Sequence, residues 1–186
     1  MTREDEGMTE RFRPVDDAPD DVRAYLESSR PAGRDAPGTI RALAHRPEML
    51  RTFLAWARVL AREGALSRRD HEILALRASL NCRSPFEWGE HLEFARAAGL
   101  GDAEFDGIVE GADAPSWAAH EAALLRAADQ LHRGVDIDDA TWSVLAAHYD
   151  EPQLVEVVYV VGQYTMLSMV ANGLRVRVPE TFRPLP

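Results

Sequence analysis

The sequence has one cysteine, Cys82, among its 186 residues. A single thiol cannot form an internal disulfide, and it cannot supply a cysteine-rich metal site. The chain also lacks a Gly-rich phosphate loop, a His-Glu-x-x-His motif and a repeated Glu-x-x-His pair. We therefore expect no nucleotide cofactor and no bound metal.

Basic residues are scarce relative to acidic ones, with 21 Lys and Arg against 31 Asp and Glu and a net charge of −10. This balance argues against a nucleic-acid partner, because phosphate binding needs clustered cations. The first twenty residues are charged and contain no apolar core, which is unlike a signal peptide. The sequence therefore predicts a cytoplasmic protein.

The longest uncharged stretch is 157–174, which approaches the length of a membrane-spanning helix. It is interrupted by polar residues and glycine, among them Gly162, Gln163 and Asn172. A helix that is apolar on all sides is typical of a buried or interface position in a large core. We therefore expect an internal or interface helix and no membrane partner.

Apolar residues recur at helical spacing along most of the chain, and β-branched residues cluster only near the C-terminus. Caps and breakers such as Pro47, Ser67 and Gly99 divide this pattern. We predict an all-α, single-domain bundle of about seven to eight helices. The predicted organisation is a partly irregular N-terminal extension (1–37), a helical domain (38–180) and a short tail (181–186). The predicted helices are about 21–28, 47–62, 68–80, 85–98, 102–110, 117–132, 140–148 and 151–174.

Four polar or aromatic residues of the predicted helix 85–98 share one face, because they follow the spacing i, i+3, i+4 and i+7. They are Ser84, Glu87, Trp88 and His91. Glu87 and His91 are one turn apart, so the carboxylate could orient the imidazole as a general base. Cys82 precedes this helix, where the helix dipole and a neighbouring arginine could acidify its thiol.

The preceding predicted helix contributes Glu72 at the edge of its apolar face and Arg77 within that face. A semi-buried arginine needs a carboxylate partner, and either Glu72 or Glu87 could provide it. In the last helix, Tyr164 belongs to a polar stripe within apolar surroundings and requires a partner. Tyr164 could therefore line a pocket or satisfy a contact between helices or subunits.

Each of these residues also has a structural interpretation. Ser84 and Glu87 match a capping box, and the Glu87–His91 pair could lie on the surface. Arg77 could serve only in an internal ion pair, Cys82 could be an inert buried thiol, and Trp88 could belong to the core.

The motif resembles the carboxymuconolactone decarboxylase and alkylhydroperoxidase-D-like superfamily. Glu72 is followed after eleven residues by Ser84, after two more by Glu87 and after three more by His91. The similarity extends over about residues 38–180 and includes the segments 43–50, 97–100, 139–142 and 162–164. In the peroxidase branch of that superfamily, cysteines occupy the positions of Ser84 and Glu87.

The resemblance implies an all-α fold that assembles as a homo-oligomer, either a trimer or a hexamer. A two-thiol peroxidase cycle is excluded for a chain with one cysteine. The leading hypothesis is a cofactor-free lyase of the decarboxylase-like type that acts on a small carboxylated or lactone molecule. His91 would shuttle the proton, Glu87 would orient it and Glu72 would be a second acid/base group. Arg77 or the backbone at Ser84 would anchor an anion.

Two other hypotheses remain open at the level of sequence. Cys82 could serve a monothiol peroxidase or redox protein with peroxiredoxin-type activity, resolved by an external thiol. The chain could also be a non-enzymatic oligomeric binding protein built on the same scaffold.

Overall fold

The structure is a computed structural model that describes residues 10–13, 15, 18–28 and 36–186. These residues form nine helices and no strand, which confirms the all-α prediction. About half of the predicted extension 1–37 lies outside the described residues, and its described part contains the helix Asp20–Ser28. The sequence analysis did not separate the short helix Gly38–Leu43. The helices are α1 (Asp20–Ser28), α2 (Gly38–Leu43), α3 (Pro47–Arg62), α4 (Arg68–Asn81), α5 (Pro85–Ala97), α6 (Asp102–Glu110), α7 (Ala119–Gly134), α8 (Asp139–Ala146) and α9 (Glu151–Leu174).

Local signals account for most helix boundaries. The Ser67 side chain accepts a hydrogen bond from the Asp70 N–H at the start of α4, and Asp138 caps α8 in the same way. Gly99 follows α5 with a φ of +89°, a left-handed conformation that favours glycine. The predicted start of α7 was wrong by two residues. Glu121 accepts the Ala118 N–H, and this hydrogen bond starts the helix at Ala119.

Helix α4 lies at the centre of the bundle and packs against α5, α7 and α9. Its residues Ile73, Leu74 and Leu76 are fully buried, and so are Leu124 and Leu125 of α7. Because α4 is enclosed on several sides, its polar side chains are buried together with its apolar ones. Buried polar groups need partners inside the protein, and this requirement places a polar site within the core.

The C-terminal tail packs back onto the helices. Val176 and Phe182 form a small apolar cluster with Phe86 of α5 and Ala171 of α9. A Cβ atom on Gly89 would lie only 2.3 Å from the ring of Phe182, so glycine is required for this close approach. The tail therefore covers the side of α5 opposite to the cavity described below.

Among the described residues, α9 is long and apolar enough to cross a membrane by length and composition alone. The central helix of a water-soluble bundle meets the same two criteria. One face of α9 is buried at Val157, Val160 and Val161, as predicted for an internal helix. Its opposite face carries exposed apolar side chains, at Val155, Val158, Tyr159, Met166 and Met169.

Candidate functional site

The turn between α4 and α5 brings Glu72 of the first helix close to Glu87 and His91 of the second. Arg83 adopts a left-handed conformation with a φ of 50°, and the Ser84 N–H donates to the Ser79 carbonyl at 3.0 Å. Asn172 of α9 donates its side-chain amide to the Cys82 carbonyl at 3.1 Å. These backbone contacts hold the start of α5 against the end of α4, so that side chains from both helices meet in the interior.

The central contact of the site is a buried hydrogen bond between α4 and α5. His91 Nδ1 lies 2.7 Å from Glu72 Oε2, and their side chains are 8% and 2% exposed. Burial lowers the pKa of His91, but the charge and hydrogen bond of Glu72 outweigh it, so the pKa lies above its ordinary value. Glu72 is therefore the group that orients the imidazole.

The expectation that Glu87 orients His91 was wrong. Glu87 Oε2 is 4.0 Å from His91 Nε2, which is beyond hydrogen-bond distance. Glu87 is 1% exposed, and its Oε1 has no hydrogen-bond partner among the described residues. Burial raises the pKa of Glu87 to about 8, partly offset by His91. At neutral pH this carboxyl is largely protonated and can donate a proton.

Tyr164 of α9 completes the inner wall of the site. Its ring lies edge-on to His91 with ring centroids 4.3 Å apart. Its hydroxyl is hydrogen-bonded to His71 Nε2 at 2.9 Å, which supplies the partner that the sequence analysis required for Tyr164. Burial raises the pKa of Tyr164 well above its ordinary value and lowers that of His71 to about 4. Both groups are therefore neutral at physiological pH.

These residues face a cavity of about 590 Å³. That volume is within the range of small-molecule sites. Its polar wall consists of Glu72, Glu87, Glu90, His91 and Tyr164. Much of the remaining wall is apolar, and cationic side chains also line the cavity. Further lining residues are Phe53, Leu54, Arg58, Arg62, Arg68, Phe94, Gln163 and Leu167.

Arg77 does not belong to this cavity, so the predicted pairing with Glu72 or Glu87 was wrong. Its guanidinium forms two hydrogen bonds with Asp129 of α7, at 2.6 and 2.8 Å, and a third with the Ile108 carbonyl at 2.5 Å. Arg77 faces α7 because Asp129 of that helix presents both carboxylate oxygens, and a guanidinium favours such a pair of parallel hydrogen bonds. These contacts match the structural interpretation of Arg77, which was an internal ion pair.

Cys82, Ser84 and Trp88 also lie away from the cavity wall. The Cys82 thiol is 3.9 Å from His132 Nδ1, and burial raises its pKa, which contradicts the expected acidification. Ser84 occupies the N-cap position, but its side chain makes no capping hydrogen bond, so the predicted capping box is absent. Trp88 is 1% exposed and belongs to the main core.

Two residues of the site had no assigned role in the sequence analysis. Arg68 lines the cavity and lies 3.8 Å from Glu72 Oε1, and its i, i+4 spacing from Glu72 was a visible signal. His71 has no motif around it in the sequence. It contacts Tyr164 from a different helix. Only the packing of α9 against α4 brings that pair together.

Part of the chain matches the model of a known family. The profile of the carboxymuconolactone decarboxylase family matches residues 47–130, which contain α3, α4, α5 and the site motif. Over this segment the chain is similar to the carboxymuconolactone decarboxylase family. A search of curated proteins finds no match.

Three solved structures share this fold at low sequence identity. An uncharacterised peroxidase-related protein from Silicibacter sp. TM1040 is 22% identical, with a TM-score of 0.81 over 98% of this chain and 97% of that one. An alkylhydroperoxidase AhpD core protein from Ralstonia eutropha JMP134 is 18% identical, with a TM-score of 0.80 over 92% and 93%. A putative antioxidant defence protein AhpD from Agrobacterium tumefaciens is 23% identical, with a TM-score of 0.67 over 74% and 95%. These similarities establish the fold and leave the reaction to the site residues.

Proposed function

We propose that this protein is a cofactor-free acid/base enzyme that acts on a small carboxylated or lactone substrate. One observation carries the proposal: the buried 2.7 Å hydrogen bond from His91 Nδ1 to Glu72. That bond engages Nδ1 and leaves Nε2 on the side of Glu87 and the cavity as the atom available for proton transfer.

The roles of the two carboxyl groups follow from their surroundings. Glu72 holds the imidazole and stabilises its protonated form. Glu87, with its pKa raised to about 8 by burial, is the neutral acid beside the reacting atom. Arg68, at the cavity wall, replaces Arg77 as the proposed anchor for a substrate carboxylate.

The reaction class that suits these groups is loss of carbon dioxide from a carboxylated lactone. The bond from carbon to the carboxylate breaks, and its electron pair is delocalised into a conjugated carbonyl as an enolate. The His91 imidazolium donates its Nε2 proton to the carbon that lost the carboxylate, and Glu87 hydrogen-bonds to the developing enolate oxygen. The imidazole regains its proton from solvent.

The test is turnover by the wild type and by His91→Gln. A panel of small carboxylated lactones is followed by carbon dioxide release and by deuterium incorporation from heavy water. We expect wild-type turnover on at least one compound and a loss of about 10²–10⁴-fold in kcat for His91→Gln, the range typical of a general acid/base.

His120→Gln is the matched control, because His120 is a histidine that does not line the cavity. Circular dichroism checks that both variants fold. An inactive wild type, or a His91→Gln variant with full activity, would contradict the proposed function.

We also propose that the protein assembles from identical chains through α9. The exposed positions Val155, Tyr159, Gly162, Met166 and Met169 follow one another at spacings of four, three, four and three residues. That 3.5-residue repeat is the pattern by which one helix packs against another in a coiled coil. A second copy of the same helix supplies a complementary apolar surface.

A further inference from the structure

We infer that the cavity contains a binding site for a divalent transition-metal ion, formed by His91 Nε2 with the carboxylates of Glu87 and Glu90. These three residues each offer a ligand atom, and the atoms lie within 4.8 Å of one another. All three side chains come from one helix, α5, at positions i, i+3 and i+4, so the helix itself sets their spacing. The sequence analysis expected no metal, because the chain lacks a His-Glu-x-x-His motif and a repeated Glu-x-x-His pair.

The second observation is a buried oxygen without a partner at the same place. Glu87 Oε1 makes no hydrogen bond with any described residue although the side chain is 1% exposed. A buried carboxyl oxygen that lacks a partner is costly, and a cation that displaces the Glu87 proton would satisfy it. Glu87 lines the cavity, so an ion could enter from that side.

The third observation is the orientation of His91. Histidine ligands commonly donate their other ring N–H to a carboxylate, which fixes the tautomer and raises the basicity of the ligating nitrogen. The 2.7 Å hydrogen bond from His91 Nδ1 to Glu72 has this form. It directs Nε2 towards Glu87 Oε2, 4.0 Å away.

The ligand atoms lie farther apart than in an occupied site, so a bound dication would draw them together. A tetrahedral ion with bonds of about 2.0–2.2 Å separates its ligand atoms by roughly 3.4 Å. The gap between Nε2 and Oε2 must therefore close by about half an ångström, which a side-chain rotation of Glu87 provides. Imidazole with carboxylates favours zinc, cobalt or nickel over magnesium and calcium, which prefer oxygen ligands alone. Solvent or a substrate would complete the coordination from the cavity.

The other described cluster of this kind is less suited to a cation. Asp70, His120 and Glu121 also lie within 4.8 Å of one another. Glu121, however, already pairs with Arg69 at 2.7 Å and accepts the Ala118 N–H. Asp70 likewise accepts a hydrogen bond from the Ser67 hydroxyl at 2.7 Å. This cluster serves as the internal comparison for the site at Glu87.

Metal binding would regulate the proposed reaction. An ion on His91 Nε2 occupies the atom that moves the proton in the proposed function, so zinc should inhibit turnover; this consequence alone rests on that function. The binding itself does not, because it can be measured without any substrate.

The test is calorimetric titration of the purified protein with zinc chloride, with visible absorption of the cobalt complex as a second readout. We expect about one zinc per chain for the wild type. Glu87→Gln should weaken binding at least roughly ten-fold, and Glu72→Gln should weaken it about 10–100-fold through the lost orientation of His91.

His120→Gln is the matched control and should bind zinc as the wild type does. Circular dichroism verifies that each variant is folded. Absence of saturable zinc binding by the wild type would overturn the site, and so would a loss of binding in His120→Gln with none in Glu87→Gln. Either result would leave the proton-transfer role of His91 open to its own test.

Discussion

At the scale of single residues, two carboxyl groups of the same motif have opposite environments. Glu72 receives a hydrogen bond from His91, whereas Glu87 is buried with one oxygen unpartnered. The pKa of Glu87 is therefore raised to about 8, mainly by burial. This difference reverses the roles that sequence spacing assigned, because an i, i+4 relationship does not ensure contact when a neighbouring helix offers a better partner.

The buried Glu87 makes stability depend on pH. The unfolded chain releases this proton near its ordinary pKa of 4.5, and the folded chain keeps it up to about pH 8. Between those values the folded state binds more protons, so stability falls as the pH rises. His91, whose pKa is also raised, contributes in the same direction above its unfolded value of 6.5.

We therefore expect Glu87→Gln to be more stable than the wild type at pH 8, by a few kcal/mol at most, and about equally stable at pH 4. Urea unfolding at several pH values measures this difference. The control is Glu93→Gln, which changes an exposed carboxylate of the same helix. A Glu87→Gln variant whose stability follows the wild-type pH profile would show that Glu87 ionises normally.

At the scale of elements, α5 is held between the cavity on one side and the C-terminal tail on the other. The tail reaches α5 because Gly89 leaves room for the Phe182 ring. Alanine ordinarily favours a helix interior over glycine by about 1 kcal/mol. At position 89 the added methyl group would meet the ring instead, so packing and propensity oppose each other.

Gly89→Ala should destabilise the protein by about 1–3 kcal/mol, the usual cost of overpacking a core. The same substitution in a Phe182→Ala background should be neutral or stabilising, since the obstructing ring is gone. Chemical denaturation of the four proteins of this double-mutant cycle measures the coupling. Equal effects of Gly89→Ala in both backgrounds would contradict the contact.

At the scale of the whole molecule, α9 has a stripe of apolar side chains that remains exposed to solvent in a single chain. Met166 and Met169 are 45% and 67% exposed within it. Large exposed apolar patches commonly mark interaction surfaces. The proposed partner is a second copy of the same stripe.

Light scattering with size exclusion should therefore give a mass larger than one chain for the wild type. Met166→Glu combined with Met169→Glu should shift the mass towards 20.7 kDa, that of one chain, because buried charges oppose association. Val109→Glu on α6 is the matched control, since Val109 is an exposed apolar residue elsewhere. A wild type that is monomeric at high concentration would contradict the proposal.

The sequence by itself determined the helices and the members of the motif. Helical periodicity and local caps predicted most boundaries, because those signals act within one or two turns. Spacing within α5 also placed Glu87 and His91 on one face, and the structure agrees. The apolar pattern of the preceding helix also proposed Glu72 as a site residue, and the structure brings it to His91.

Only the tertiary structure decided which partners the polar side chains have. Arg77 pairs with Asp129, 52 residues away, and His71 meets Tyr164 across 93 residues. Such contacts depend on how α4 packs against α7 and α9, which no local pattern specifies. The direction of each pKa shift likewise depends on burial and neighbours. For this reason the thiol of Cys82, expected to be acidified by a helix end, has a raised pKa instead.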